Sequence, residues 1–375
     1  MGKRIGIEVQ RLFRPKKHGM EVVALELIKE LQQAETPHEY VVFVKKDKDY
    51  CITPSHNLQI KDLGSWPYPI WEQVVFPLAI KNMRLDLLHS TCNTSMLFPS
   101  LPLVLTLHDI IYLEKLDMAG TLYQNFGNIY RKYVVPTVVK KAKAIITVSE
   151  FEKKVMMDKL NIPDHKIQVI YNAVGKQFNN RYSHEHVEAF RTSIALPNEY
   201  ILFLGNTAPK KNTKNTILAY VNYASKAKSP LPLIVLDYSR DLVLDQLRAM
   251  GEERLISNFV FPGYIRAQDM PLMYNAASLF LYPSIRESFG LPILEAMACG
   301  VPVITSNTSS MPEVAAGAAW LVDPLDVTDL GDAITSLSSD QEKRAVLMEK
   351  GLKRAEYFSW KNAAEQLINV YESVC

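Results

Sequence analysis

Short runs rich in β-branched and aliphatic residues alternate with longer helical patterns along the chain, and this alternation constrains the fold more than any other feature. RIGIEV is followed by the helical GMEVVALELIKELQ and then YVVFV, and further on by LDLLHS, LPLVLTLHD and AIITVSE. After about residue 175 the style repeats with YILFLGN, LPLIVLD, NFVFPGY, ASLFLYP, VPVIT and AAWLVDP. Strands that alternate with helices build parallel sheets covered on both faces. At 375 residues, with 48% hydrophobic and 22% charged content, the chain is long enough for two such cores. The expectation is an α/β protein with two doubly wound, Rossmann-like domains.

The boundary is expected near Gly175, where KIQVI leads through YNAVGKQF into the polar RYSHEHVEAFR. That divides the chain into 1–175 and 176–358. No proline-rich or glycine-rich linker marks the division, which suggests two domains facing each other closely across a cleft. Composition narrows the function. A formal charge of +2 is too mild to imply nucleic-acid binding. Cys51, Cys92, Cys299 and Cys375 are far apart, without metal-ligand or redox spacing, and fit a reducing cytosol. MGKRIGIEVQ reads as a strand, not a signal peptide, and no apolar run approaches the eighteen or so residues a membrane span needs. A cytoplasmic protein, soluble or peripherally attached, is expected.

In doubly wound sheets ligands bind beyond the carboxyl ends of the strands. LPLVLTL ends in His108 and Asp109; ILFLG ends in Asn206 and continues to Lys210 and Lys211; SLFLYPS leads into Arg286 and Glu287; RIGIEVQ leads through a basic loop to Gly19. The densest signal is SIRESFGLPILEAMACGVP, residues 284–302. Here Glu287, Ser288, Phe289 and Gly290 form a loop, Pro292 opens an apolar helix, and Glu295 is expected in its first turn. Unpaired amides, a permissive glycine and the positive end of the helix dipole can cradle a phosphate. The two glutamates could grip two parts of one ligand. Residue by residue, ordinary readings stay open. Glu295 alone is a dipole partner, Glu287 a solvated loop residue, His108 a backbone-bonded strand end, Gly19 a plain helix start, and Lys210 with Lys211 a surface patch.

The whole string ESFGLPILEAMACGVPVI resembles the signature of retaining glycosyltransferases of family 4, which have the GT-B fold. The resemblance continues through VSEFEKK, VIYNAV and PEVAAGAAWLVDPLD. It implies that Glu295 binds the nucleotide ribose, that Glu287 lies by the transferred sugar, and that the backbone of Phe289, Gly290 and Leu291 meets sugar and diphosphate. His108 would hydrogen-bond the donor sugar, with Asp109 shaping its surroundings, and Gly19 would approach the diphosphate. NTAPKKNTKN is close to the family's proline, arginine, lysine, asparagine pattern, with lysine at 210 in place of arginine. Lysine supplies charge without arginine's bidentate fork. Lys210 and Lys211 would stabilise the charge that develops on the departing nucleotide diphosphate, with Arg286 beside them. The last helix, within 359–375, is expected by resemblance to cross back onto the first domain.

The implied reaction transfers a hexose from a nucleotide sugar to an acceptor hydroxyl with retention, the leaving phosphate taking the acceptor's proton. The two glutamates are not a glycosidase pair, whose carboxyls flank the scissile bond at roughly 5 to 9.5 Å. With no Asp-x-Asp between strands, metal-independent catalysis without a cofactor is expected. The motifs are most similar to the mannosyltransferase and rhamnosyltransferase branch, which points to GDP-mannose, with UDP sugars open. The acceptor is expected on the first domain, where WPYPIW (66–71) could line it. The helical region from Tyr130 to Lys143 carries Arg131, Lys132, Lys140, Lys141 and Lys143. It reads either as a core helix with a solvated basic face or as a contact with the inner face of the membrane, where relatives elongate lipid-linked saccharides. The alternatives are a sugar-nucleotide epimerase of the same fold and a non-catalytic binding subunit.

Overall fold

The computed structural model describes residues 2–114 and 122–374. They form two compact units, one comprising 1–172 with 360–375 and the other 173–359. In the first, seven strands make a wholly parallel sheet: β1 (Arg4–Glu8), β2 (Glu39–Val44), β3 (Leu58–Asp62), β4 (Leu87–Ser90), β5 (Leu103–Thr106), β6 (Ala144–Thr147) and β7 (Ile167–Val169). Their spatial order is β3-β2-β1-β4-β5-β6-β7. The second sheet has six parallel strands: β8 (Ile201–Leu204), β9 (Leu233–Leu236), β10 (Phe259–Val260), β11 (Leu279–Tyr282), β12 (Val303–Ser306) and β13 (Trp320–Val322), ordered β10-β9-β8-β11-β12-β13.

Both orders reverse direction at one place, between β1 and β4 in the first sheet and between β8 and β11 in the second. Strand order of this kind opens a crevice beyond the carboxyl ends at the switch point. The strands read as continuous apolar runs because helices cover both faces. LVLT of β5 and LFLY of β11 are buried at all four positions. Around them Val41, Phe43, Trp71, Phe76 and Ile145 form one core, and Ile201, Phe203, Tyr220, Leu233 and Ile304 the other. Each such side chain contributes roughly 1.5–3 kcal/mol by leaving water.

The final helix, Trp360–Val374, belongs to the first unit and packs on α1 (Gly19–Gln33). Trp360, Leu367 and Tyr371 are buried on it, and the Tyr371 hydroxyl lies 2.7 Å from His89 Nδ1. WPYPIW is not extended. It winds into a helical turn at Tyr68–Ile70 that runs on through Trp71–Val75. The basic helix spans Leu122–Lys141, so Lys143 lies beyond it, before β6. Its apolar side, Val134, Val135, Val138 and Val139, is buried in the core of its own unit, while Lys132, Lys140 and Lys141 are exposed. Cys375 lies outside the described residues.

Candidate active site

The second unit gathers its candidate residues at the switch point of its sheet. After β8 the chain turns through Asn206, whose side-chain oxygen accepts the Ala208 amide at 2.8 Å, while the Thr213 hydroxyl bonds both the amide and the carbonyl of Asn206. A short 3-10 turn, Pro209–Lys211, follows and is stopped by Asn212 at φ +60°. The buried Asn212 amide group donates to Pro283 O at 3.0 Å and to Pro324 O at 2.6 Å, and the Ile285 amide donates to Lys210 O at 2.7 Å. These bonds fasten the lysine turn to the loop after β11. A cation whose backbone is held this way does not have to be reorganised when charge develops beside it.

Lys211 Nζ sits 2.7 Å from Glu287 Oε1 and donates to the Tyr282 hydroxyl at 2.9 Å. The Glu287 side chain is 11% exposed and that of Lys211 25%. Glu287 is therefore no solvated loop residue. Burial, with the Glu287 charge next in size, holds the Tyr282 hydroxyl well above its ordinary pKa, so it stays a neutral phenol. The Glu287 backbone is pinned from the next loop. Ser309 Oγ and Ser310 Oγ donate to its carbonyl at 2.6 and 3.0 Å, and Ser310 also reaches Phe289 O at 2.9 Å. Arg286 turns its guanidinium to Glu287 O at 3.0 Å and to Ser309 Oγ at 3.4 Å, which aligns it with the loop backbone. Lys210 contributes its carbonyl to that same anchoring.

The helix after this loop starts one residue earlier than the sequence suggests. Leu291 is its first residue and Pro292 its second, with Gly290 as N-cap at φ +105°. Glu295 is consequently the fifth helical residue, and no acidic side chain lies in the first turn. The expected first-turn position of Glu295 is thus corrected, and its ordinary reading as a dipole partner goes with it. The cause is Gly290, whose left-handed backbone lets the chain enter the helix directly from the loop. Pro292 has no N–H and the Ile293 amide bonds Gly290 O at 2.9 Å, so an anion here would be met by backbone at and just before Leu291. Glu295 instead accepts from the Tyr274 hydroxyl at 3.1 Å. Burial pushes its carboxyl up to about 7, against the pull of that hydrogen bond.

The first unit holds His108, Asp109 and Gly19. His108 is buried, its amide donates to Asn93 Oδ1 at 2.7 Å, and its Nε2 lies 2.9 Å from Thr91 O. A carbonyl only accepts, so Nε2 carries the proton and Nδ1 is the acceptor nitrogen of the neutral ring. Burial lowers its pKa, opposed by the bond to Thr91 and by the charges of Asp109 and Glu21. Asp109 Oδ1 accepts the Ile111 amide at 3.2 Å. Gly19 begins α1 with open space where a Cβ would stand, while Glu21 caps the helix by accepting the His18 amide at 2.8 Å.

Sequence reasoning missed Tyr274, Tyr282, Ser309 and Ser310, which hold the carboxyls and their loop. The run SNTSSMPE after β12 was the available signal, since hydroxyls clustered at a strand end commonly bond neighbouring backbone. Among the described residues no group of three or more His, Cys, Asp or Glu side chains could hold a metal ion. Nor is any helix among them long and apolar enough to cross a membrane.

Comparison with known proteins agrees with this architecture. Residues 18–177 match the model "Glycosyltransferase Family 4", and residues 186–354 the model "Glycosyl transferases group 1". O-antigen chain mannosyltransferase B of Escherichia coli is 35% identical over 233 residues, 62% of this chain and 61% of that protein. The serotype-specific mannosyltransferase WbdA of Escherichia coli is 30% identical over 266 residues, 70% of this chain and 32% of WbdA. The match thus spans less than two thirds of either relative. Anabaena HepE, solved with UDP and glucose, superposes with a TM-score of 0.73 at 18% identity, covering 99% of this chain and 100% of HepE. The chain belongs to the glycosyltransferases that join a family 4 amino-terminal domain to a group 1 carboxyl-terminal domain, and its fold is GT-B.

Proposed function

We propose that this protein is a retaining hexosyltransferase that moves mannose from GDP-mannose to a hydroxyl of a saccharide or lipid-linked saccharide. The observation that carries the reading is the Lys211–Glu287 pair, buried at the switch point of the second sheet and fastened from three loops. Lys211 faces the diphosphate and stabilises the charge that builds on it as the glycosidic bond breaks, with Lys210 as the outer cation. Glu287 lies by the transferred sugar, and its charge keeps Lys211 in position. Glu295 takes the ribose hydroxyls, and the backbone from Phe289 to Leu291 meets the phosphates, with Asn206 and Arg286 shaping the surrounding loops. His108 bonds the donor sugar, supported by Asp109, and Gly19 admits the diphosphate to the start of α1. With lysines meeting the phosphates, the reaction runs without a metal ion. The mannosyltransferase relatives support the choice of sugar.

The protein works at the cytoplasmic face of the membrane. The valines of the Leu122–Lys141 helix are taken up by its own core while Phe126, Ile129 and Tyr133 stay exposed, so contact with anionic lipid joins these side chains to the charges of Lys132, Lys140 and Lys141. The test is a thermal-shift screen with GDP, UDP, ADP and TDP, with and without chelator, because a ligand of the native state stabilises it by mass action. A selective, chelator-insensitive rise with GDP supports the reading. A selective rise with UDP replaces the donor, and no rise with any nucleotide favours a non-catalytic subunit.

A further inference from the structure

Lysine stands at both 210 and 211, so neither position offers arginine's planar fork, and direction has to come from what the ammonium touches. An ammonium carries three N–H bonds in a tetrahedral set. Lys211 turns two of them into the protein, one to Glu287 Oε1 at 2.7 Å and one to the Tyr282 hydroxyl at 2.9 Å. Tyr282 closes the triangle, because its own O–H is hydrogen-bonded to Glu287. Among the described residues no other protein group bonds Lys211 Nζ. Two fixed N–H directions fix the third, since the fourth position on the nitrogen is the side chain itself. The phenol is in turn held firmly. Tyr282 ends β11 and is 3% exposed, its ring lies 5.9 Å from that of Phe280, and its carbonyl accepts from Thr305 Oγ1 at 2.8 Å.

We infer that Tyr282 is a positioning residue of the transfer reaction: together with Glu287 it takes two of the three Lys211 N–H bonds and so aims the third at the donor diphosphate. The inference rests on the proposed transfer from a nucleotide sugar. The part Tyr282 plays is orientation, not proton transfer. Burial and the Glu287 charge hold its hydroxyl well above the ordinary phenol pKa, so it keeps its proton throughout. Charge builds on the leaving phosphate only as the glycosidic bond breaks, and a donor aligned beforehand acts on that charge without reorganising. Phenylalanine here would keep the ring beside Phe280 and the ammonium 5.0 Å from the ring centre. It would release one N–H, and Lys211 would then be held by Glu287 alone.

The test compares wild type, Tyr282→Phe, Lys211→Met and the double variant by initial rates on one nucleotide sugar and by nitrogen NMR of lysine-labelled full chain. Tyr282→Phe should lower kcat roughly ten- to hundredfold, the scale of one hydrogen bond to a charged group, and change the donor KM by less than about threefold. In the Lys211→Met background it should change kcat by less than about twofold, because the hydroxyl acts through the lysine. The Lys211 ammonium, identified as the signal absent from Lys211→Met, should be visible in wild type and exchange its protons at least about tenfold faster in Tyr282→Phe. Tyr220→Phe removes an equally buried hydroxyl, bonded to Leu231 O at 2.9 Å elsewhere in the same unit, and should leave that signal and kcat in place. A kcat for Tyr282→Phe within about twofold of wild type, or an equal loss in both backgrounds, overturns the inference. So does a Lys211 signal that is missing from wild type or unmoved by Tyr282→Phe. The NMR arm needs no donor sugar, so an inactive wild type ends the transfer reading while the ammonium signal still decides the positioning.

Discussion

Replacing Lys211 with methionine separates what the Lys211–Glu287 pair does for folding from what it does for chemistry. Breaking a fully buried pair costs about 3–5 kcal/mol and an exposed one about 0–1. With side chains 25% and 11% exposed, this pair lies between those limits, nearer the buried one. Lys211→Met should therefore cost about 3 kcal/mol, most of it the penalty of leaving the Glu287 carboxylate buried without its cation. Glu287→Gln removes that penalty. The double variant should be at least about 1 kcal/mol more stable than the sum of the single losses predicts, because residues in direct contact do not add. Activity should behave otherwise. Transfer should fall about 10²- to 10³-fold in Lys211→Met and stay down in the double variant, since the lost cation acts on the transition state. Urea unfolding of the four proteins, followed by tryptophan fluorescence, gives the stability cycle, and sugar transfer gives the activity cycle. Stability losses that add within about 0.5 kcal/mol would refute the ion-pair reasoning. Full activity in Lys211→Met would refute the catalytic role.

Three further outcomes follow from the same structure. Glu295 has a folded pKa of about 7 against an ordinary 4.5, so its stabilising contribution is complete below 4.5 and is lost as pH rises through 7. Wild type minus Glu295→Gln stability, measured by urea unfolding from pH 4.5 to 8, should decline across that window and then flatten; a difference independent of pH contradicts it. Gly290→Ala forces a side chain into φ +105° with its Cβ 3.1 Å from Ile293 Cδ1. It should cost about 1–3 kcal/mol and raise the donor KM, as read by unfolding and initial rates. Ser310→Ala removes a hydrogen bond to the carbonyls of Glu287 and Phe289, the first of which keeps Ser309 and Arg286, and should cost about 0.5–1.5 kcal/mol, with KM for the donor rising more than kcat falls. An unchanged donor KM in both variants would detach this loop from nucleotide binding.

The sheets were legible because strands buried on both faces leave continuous apolar runs, which LVLT and LFLY display. The strand-end loops were legible for the same reason, since a known strand locates its carboxyl end. What lay beyond reach was pairing across distance. Lys211 and Glu287 stand in separate loops, and only the adjacency of β8 and β11 brings them to 2.7 Å. Nothing local distinguishes Glu287 from a solvated glutamate. Tyr282 was hidden in another way, as one aromatic residue in a strand run, SLFLYP, whose pattern tolerates it. Its importance comes from the hydroxyl, which reaches Lys211 and Glu287 from the strand's carboxyl end. The helix start at Leu291 was misplaced because proline marks a helix entry only to within a residue or so.

The activity proposed for this protein is retaining mannosyl transfer from GDP-mannose. Its most direct test is NMR of the product formed from GDP-mannose and a mannose-terminated saccharide in the presence of chelator. The one-bond carbon–proton coupling at the new anomeric centre gives its configuration. A new α-linked mannose and release of GDP are the expected result. A β-linked product, or no product from GDP-mannose where another nucleotide sugar reacts, would contradict it.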